Sequence, residues 1–492
     1  MLALEENPNI QSKQSSSTIE FCSRKLSVCF LLFFAVIFVL FQIGLWVFPF
    51  SSASSLSWAF FQQSGGKVFN DTTQGQSCGV RHDEYYSEKL LAKLRESVTF
   101  LPLKDLRFEK TAMDGHTWFI SSLNDTIEAE GEPEFLRFPS EASKGRLLCV
   151  KGRSPNNGGM NSYALAWRDA LPPGSTLLTG LTFVSDAYYD YGNLWHGITA
   201  ALPFAWWRLR RGCVVPSRWV LYRSGELRLQ MGKWMEKLME AAFDGSVAVD
   251  SLDGADDRPV CFEEALVHRH TGGNMGLEER KAVFEMLRCR ARAFCNVGVA
   301  KDGDSPPPPL RPESVTLTML LRNGARAFKN ESLVVGVFER ACQAVKGCRF
   351  LVAHSDGLDF CDQVRILSST DIVASPHGAQ LTNMIFMDRG SSVMEFFPRG
   401  WLELAGVGQY VHHWLAKWSG MVHRGAWRDH HGDECPHGPG ARGCFDFYKA
   451  TKIGHNETYF AQWAMQVLNQ AKLRKKDGAA IAGDPSTECP CT

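Results

Sequence analysis

Beyond residue 314 the chain alternates short apolar runs with amphipathic segments. The runs 315–321, 349–353, 371–375 and 392–397 are nearly continuous in apolar residues. That is the pattern of strands buried on both faces of a parallel sheet. Segments 331–345, 358–368 and 379–387 lie between them with helical spacing, and the alternation predicts βαβ units. Upstream, 146–150, 175–184, 218–222 and 259–262 read as strands, and 193–211 and 231–243 as helices. Segment 301–314, with prolines at 306–309, breaks the pattern and reads as a linker. The expected fold is α/β: two Rossmann-like lobes, 141–300 and 315–470, with a cleft between them and a tail at 471–492. Ligands of open parallel sheets bind outside the carboxyl ends of the strands.

The first fifty residues differ from the rest. Segment 26–50 has no charge and is rich in Leu, Phe, Val and Ile, behind Arg24 and Lys25. It is long enough to span the roughly 30 Å hydrocarbon core as a helix. The positive-inside rule then puts 1–25 in the cytosol and the remainder in a lumen. The alternative is a cleaved signal peptide, but both the apolar run and the preceding segment are long for one. Residues 51–140 read as a stem, Ser-rich at its start, and a polar lumenal region of no assigned fold. This type II arrangement predicts a Golgi or ER membrane protein. Of the 15 cysteines, Cys22 and Cys29 precede residue 50; the other thirteen suit an oxidising lumen. Asn-X-Ser/Thr acceptors stand at Asn70, Asn124, Asn330 and Asn456. The formal net charge is zero, so nothing points to nucleic acid.

Candidate chemistry gathers at two turns. His377-Gly378-Ala379 joins strand 371–375 to the next helix; glycine admits a close ligand, and a helix N-terminus favours an anion. Arg322 and Arg326 follow strand 315–321 directly, and guanidinium forks suit a diphosphate. Each feature alone is equally an ordinary crossover turn or a pair of solvated arginines.

Taken together, the residues resemble glycosyltransferase family 61. The resemblance rests on Arg322-x-x-x-Arg326-x-x-x-Asn330, Phe360-x-x-Gln363, His377-Gly378-Ala379-x-Leu381-Thr382-Asn383, and Gly390-Ser391 through Glu395 and Pro398. Upstream, Asn193-Leu194-Trp195-His196 and Cys261-Phe262 are similar to elements of that family. The resemblance implies a GT-B-type fold, a UDP-sugar donor, inversion at the anomeric carbon and a glycan or glycoprotein acceptor. It implies nucleotide-sugar binding by Arg322, Arg326, His377, Gly378, Ala379, Thr382, Asn383 and Glu395. Glu395 is expected either to contact the ribose hydroxyls or to cap a turn.

An inverting displacement needs a base for the acceptor hydroxyl and cations or amides for the departing diphosphate. His196 is the expected base, with Asp190 next and Asp186 nearby. No cofactor is demanded. Asp302-Gly303-Asp304 admits a divalent metal such as manganese but reads first as a solvated linker. The histidines at 412, 413, 423, 430, 431 and 437 fit no zinc spacing, and Cys435 with Cys444 reads as a disulfide. The rival function is a non-catalytic, membrane-anchored glycan-binding or chaperone protein that keeps the fold.

Overall fold

The apolar runs of the carboxy-terminal half become five parallel strands. In spatial order they are Cys348–His354, Val315–Leu321, Ile372–Pro376, Ser392–Phe397 and Val422–Arg428. Counted along the chain this is 2-1-3-4-5, a doubly wound order. The ligand-binding crevice of such a sheet opens at the switch point between strands 1 and 3, here between Val315–Leu321 and Ile372–Pro376. The three central strands are buried along their whole length. Alternate side chains serve two cores. Leu317, Met319, Ala374, Met394 and Phe396 pack with the helices Glu331–Gln343 and Glu457–Gly478, while Leu320, Val373 and Val393 point to the other face. The helix Glu457–Gly478 runs through position 470, where the sequence suggested a lobe boundary.

The computed structural model describes residues 80–103, 135–141, 143–187, 189–245, 248–252, 258–268, 275–297, 314–437, 442–478 and 489–491. The apolar segment 26–50, the stem, Asn70, Asn124, Cys78 and Asp302-Gly303-Asp304 lie outside them. No helix among the described residues is long and apolar enough to cross a membrane.

The amino-terminal half departs from the Rossmann expectation. Its sheet runs Leu101–Pro102, Ser162–Ala166, Leu147–Lys151, Val260–His268, Thr176–Ala187, Arg218–Arg223, Glu226–Arg228, with Leu136–Phe138 also pairing Val260–His268. Only the strands starting at 260, 176 and 218 run parallel. The flanking pairs are antiparallel; Arg218–Arg223 and Glu226–Arg228 are joined by the two-residue turn Ser224-Gly225, too short for a parallel crossover. Val260–His268 also extends past the expected end at 262. Its acidic pair sits at the sheet surface, where Arg168 pairs with Glu263 and Arg137 with Glu264.

The two sheets share one core. Phe183, Leu202, Trp234, Phe284, Met384 and Phe386 belong to a single buried cluster, and the chain from Val80 onward forms one compact unit. Disulfides reinforce it. All twelve described cysteines pair: Cys149–Cys261, Cys213–Cys491, Cys289–Cys489, Cys295–Cys361, Cys342–Cys348 and the expected Cys435–Cys444. Cys295–Cys361 ties the two halves together, and the 489 and 491 bridges return the tail to the amino-terminal half. Closures this long remove substantial entropy from the unfolded chain.

Candidate active site

At the carboxyl ends of the parallel strands lies a cleft of about 910 Å³. Arg322 enters it as the residue after Val315–Leu321, and His377-Gly378-Ala379 enters after Ile372–Pro376. These turns flank the switch point. The opposite wall is the start of the helix Leu194–Arg210. Asn193 caps that helix, its Oδ1 accepting from the amides of Trp195 at 3.0 Å and His196 at 3.4 Å. The cap holds His196 in the cleft lining.

The cleft is electropositive. Its charged lining is Arg280, Arg322, Arg326 and Lys449 against Asp356 alone. Arg322 donates only long bonds, 3.3 Å to the His377 carbonyl and 3.4 Å to Gln380 Oε1. Arg326 sits over the Trp401 ring at 5.4 Å. The Nε of each arginine is buried without a partner, and neither makes an ion pair among the described residues. Burial lowers both pKa values, that of Arg326 to about 10 with help from Arg322. Arg326 also holds a left-handed backbone, φ 60°, and its backbone N–H donates a hydrogen bond to the Thr451 carbonyl at 2.9 Å. A non-glycine residue in that region costs energy and is concentrated at functional sites.

Other candidates are placed differently. Asp190 is outside the cleft lining. It caps the Tyr191 amide at 2.9 Å and faces Arg223 and Arg228 at 3.6 and 3.5 Å. Asp186 is buried and accepts from the Gly225 amide at 3.3 Å. The segment Ala379–Phe386 is a 3₁₀ helix and almost wholly buried. Gly378 and Ala379 line the cleft, but Thr382 is fully buried beneath it. Asn383 borders the cleft with both ends of its amide engaged: Oδ1 accepts from Trp234 Nε1, and Nδ2 donates to the Gln380 carbonyl, each at 2.9 Å. Asn383 therefore supports the turn, while Thr382 is sealed from the cleft with its hydroxyl unpartnered. Phe360 is core, packed on Trp234 and Phe386, and Gln363 donates to the Leu358 carbonyl at 3.0 Å.

Glu395 requires the largest correction. It is fully buried, so it neither contacts a ribose nor caps a turn. Oε1 accepts from His377 Nδ1 at 2.6 Å and His412 Nδ1 at 2.7 Å, and Oε2 from His423 Nε2 at 2.9 Å. Burial opposes its charge, yet the adjacent His412 and the three imidazole bonds hold its pKa well below the usual carboxylate range. Donor atoms of His377, Glu395 and His412 lie within 4.8 Å of one another. The 2.6–2.7 Å separations are those of N–H···O bonds that already satisfy the carboxylate, so the group is a hydrogen-bonded network. A signal for it stood in the sequence: a lone Glu in an otherwise apolar strand must find donors.

Sequence reasoning also missed an aromatic wall. Trp195 stacks on Trp418 at 6.0 Å and 13°, Trp418 on Trp414 at 6.3 Å and 23°, and Arg280 covers Trp418 at 4.3 Å. Tyr410, Trp414 and Trp418 recur every fourth residue, which places them on one helical face.

The family model for Glycosyltransferase 61 matches residues 194–394. This span holds His196, both arginines and the His377 turn, so the resemblance drawn from those motifs is borne out. No curated protein matches. Among solved structures, an oxidoreductase from Corynebacterium diphtheriae aligns over 32% of this chain and 96% of that chain. Its identity is 12% and its TM-score 0.21, and it bears on neither fold nor function.

Proposed function

We propose that this chain, whose residues 194–394 match the glycosyltransferase family 61 model, transfers a sugar with inversion from a UDP-sugar to a glycan or glycoprotein hydroxyl. The observation that carries the reading is the pair of half-buried guanidinium groups, Arg322 and Arg326, which line the cleft with each Nε buried and unpartnered and with no ion pair among the described residues. Partly desolvated guanidinium groups with unpartnered donors gain from a ligand that completes them. A diphosphate at the switch point of the parallel sheet would do so, as Arg forks and backbone amides bind phosphate oxygens. The same groups would offset the charge that builds on the leaving diphosphate as the anomeric bond breaks. A GT-B-type arrangement fits a parallel nucleotide sheet facing an acceptor wall across one cleft. Residence in the Golgi or ER lumen, behind a membrane anchor at 26–50, is supported by the six disulfides.

The test is a donor screen of the purified full-length chain with UDP-xylose, UDP-arabinose and UDP-N-acetylglucosamine, read as UDP release. One donor should be consumed, and the Arg326→Ala variant should consume it much more slowly at the same donor concentration. UDP binding with no donor consumed would favour the non-catalytic reading.

A further inference from the structure

Glu395 fixes the tautomer of His377. With Nδ1–H committed to the carboxylate at 2.6 Å, the remaining ring nitrogen, Nε2, carries the lone pair. His377 borders the cleft with 6% of its surface open. Its ring stacks on Phe397 at 4.6 Å and 24° and leans on Trp401 at 5.9 Å, so its orientation is set on two sides. A neutral imidazole held this way presents an acceptor to the cleft. That suits a hydroxyl group and repels a phosphate oxygen.

We propose that His377, held by Glu395, is the catalytic base that takes the proton of the acceptor hydroxyl. The proposal rests on the nucleotide-sugar reading. In the step, the acceptor oxygen forms a bond to the anomeric carbon while the bond from that carbon to the diphosphate oxygen breaks. The diphosphate leaves with the electron pair, and the acceptor proton moves to His377 Nε2. Glu395 acts as a positioning residue and stabilises the imidazolium that forms. The proton passes to solvent after product release.

The other imidazoles are worse placed. His412 Nε2 is unpartnered but sealed, the residue being 1% exposed. His423 uses both nitrogens, its Nδ1 accepting from the Gly425 amide at 3.3 Å. His196 lies flat on Tyr189 at 4.1 Å, and no described side chain orients it by a hydrogen bond. Burial, then Lys449, pushes its pKa down to about 4.

The groups facing His377 are Glu395 from its neighbouring strand, with His423 behind it, His412 from the helix Val411–Trp418, and Arg322 and Arg326 from the opposite turn. Burial lowers its pKa, Glu395 opposes that, and His412 and Arg326 add to the lowering. The net direction keeps the ring neutral and able to accept at neutral pH.

The test compares H377Q, H377A, E395Q and H196A with the wild-type chain, using the donor that the screen identifies. Thermal melts check folding and calorimetry measures UDP affinity. H377Q and H377A should lose about 10²–10⁴-fold in kcat with UDP affinity within about threefold, since Arg322 and Arg326 hold the diphosphate. The wild-type acidic limb should disappear in both, and added imidazole should restore part of the H377A rate. E395Q should shift that limb and lower kcat less. A folded H377Q with wild-type turnover would overturn the proposal. So would parallel loss of UDP affinity and kcat, which would make His377 a phosphate ligand, or loss of the acidic limb in H196A alone. If the wild-type chain consumes no donor, the nucleotide-sugar reading fails and the base assignment fails with it. Donor turnover that survives H377Q removes the base assignment alone.

Discussion

A single methyl group added at Gly378 should separate the diphosphate clamp from the fold that supports it. Gly378 has φ 164° and ψ 168°, extended backbone that alanine adopts freely, so Gly378→Ala carries no conformational penalty. The obstacle is steric. A Cβ there would come closer than 3.0 Å to Arg322 Nη1 and Gln380 Oε1, with Gln380 Cδ at 3.1 Å. The two nearest atoms are the ends of flexible side chains, so they can swing away. What folding loses is the pair of Arg322 bonds at 3.3 and 3.4 Å, both longer than an ordinary N–H···O bond and correspondingly weak. What binding loses is the guanidinium in its bound position. One or more charge-assisted bonds to a diphosphate are worth about 1.5–3 kcal/mol each. UDP affinity should therefore fall about 10- to 150-fold while the melting temperature moves by only a few degrees. Calorimetry with UDP and a thermal melt on the same preparation read the two separately. Unchanged UDP affinity in a folded Gly378→Ala chain would refute the role given to this turn and to Arg322. A collapse of stability with no soluble protein would refute the claim that Arg322 and Gln380 yield.

Further outcomes follow from the same geometry. Arg326→Ala should weaken UDP binding by about 1.5–3 kcal/mol per lost bond, with Arg326→Lys restoring only part because a point charge replaces a fork; equal affinity in all three chains removes Arg326 from the site. Trp414→Ala should raise the acceptor KM about 2- to 12-fold, the range of one aromatic contact at about 0.5–1.5 kcal/mol, with UDP affinity unchanged; an effect on UDP alone would move the aromatic wall to the donor side. Stability should fall as pH drops from about 6.5 towards 4. His196 is held near 4 in the fold, against an ordinary 6.5, so the unfolded chain binds a proton in that window that the folded chain does not. Denaturant melts across it should show a shallower slope for His196→Gln, and an identical slope would contradict the burial assigned to His196.

The carboxy-terminal sheet was legible because parallel strands buried on both faces must be apolar throughout. Val315–Leu321 and Ser392–Phe397 appear at the residues where their runs begin and end. The amino-terminal sheet was less legible. Glu226–Arg228, three residues with one apolar side chain, has no periodicity to detect, and its position depends on the strand beside it. The turns bearing Arg322 and His377 could be found because the strand ends fix them. The network around Glu395 could not be assembled, because His412 and His423 reach it from elements whose placement depends on the tertiary fold. Thr382 and Asn383 were misread for the same reason. Sequence adjacency to the turn did not show that the 3₁₀ helix buries them.

The most direct measurement is an experimental structure of the full-length chain with UDP at saturating concentration. The diphosphate should lie against Arg322, Arg326 and the backbone of Gly378 and Ala379, with the space in front of His377 Nε2 left open for an acceptor. UDP bound away from both arginines, or no bound nucleotide at saturation, would contradict the assignment of this cleft.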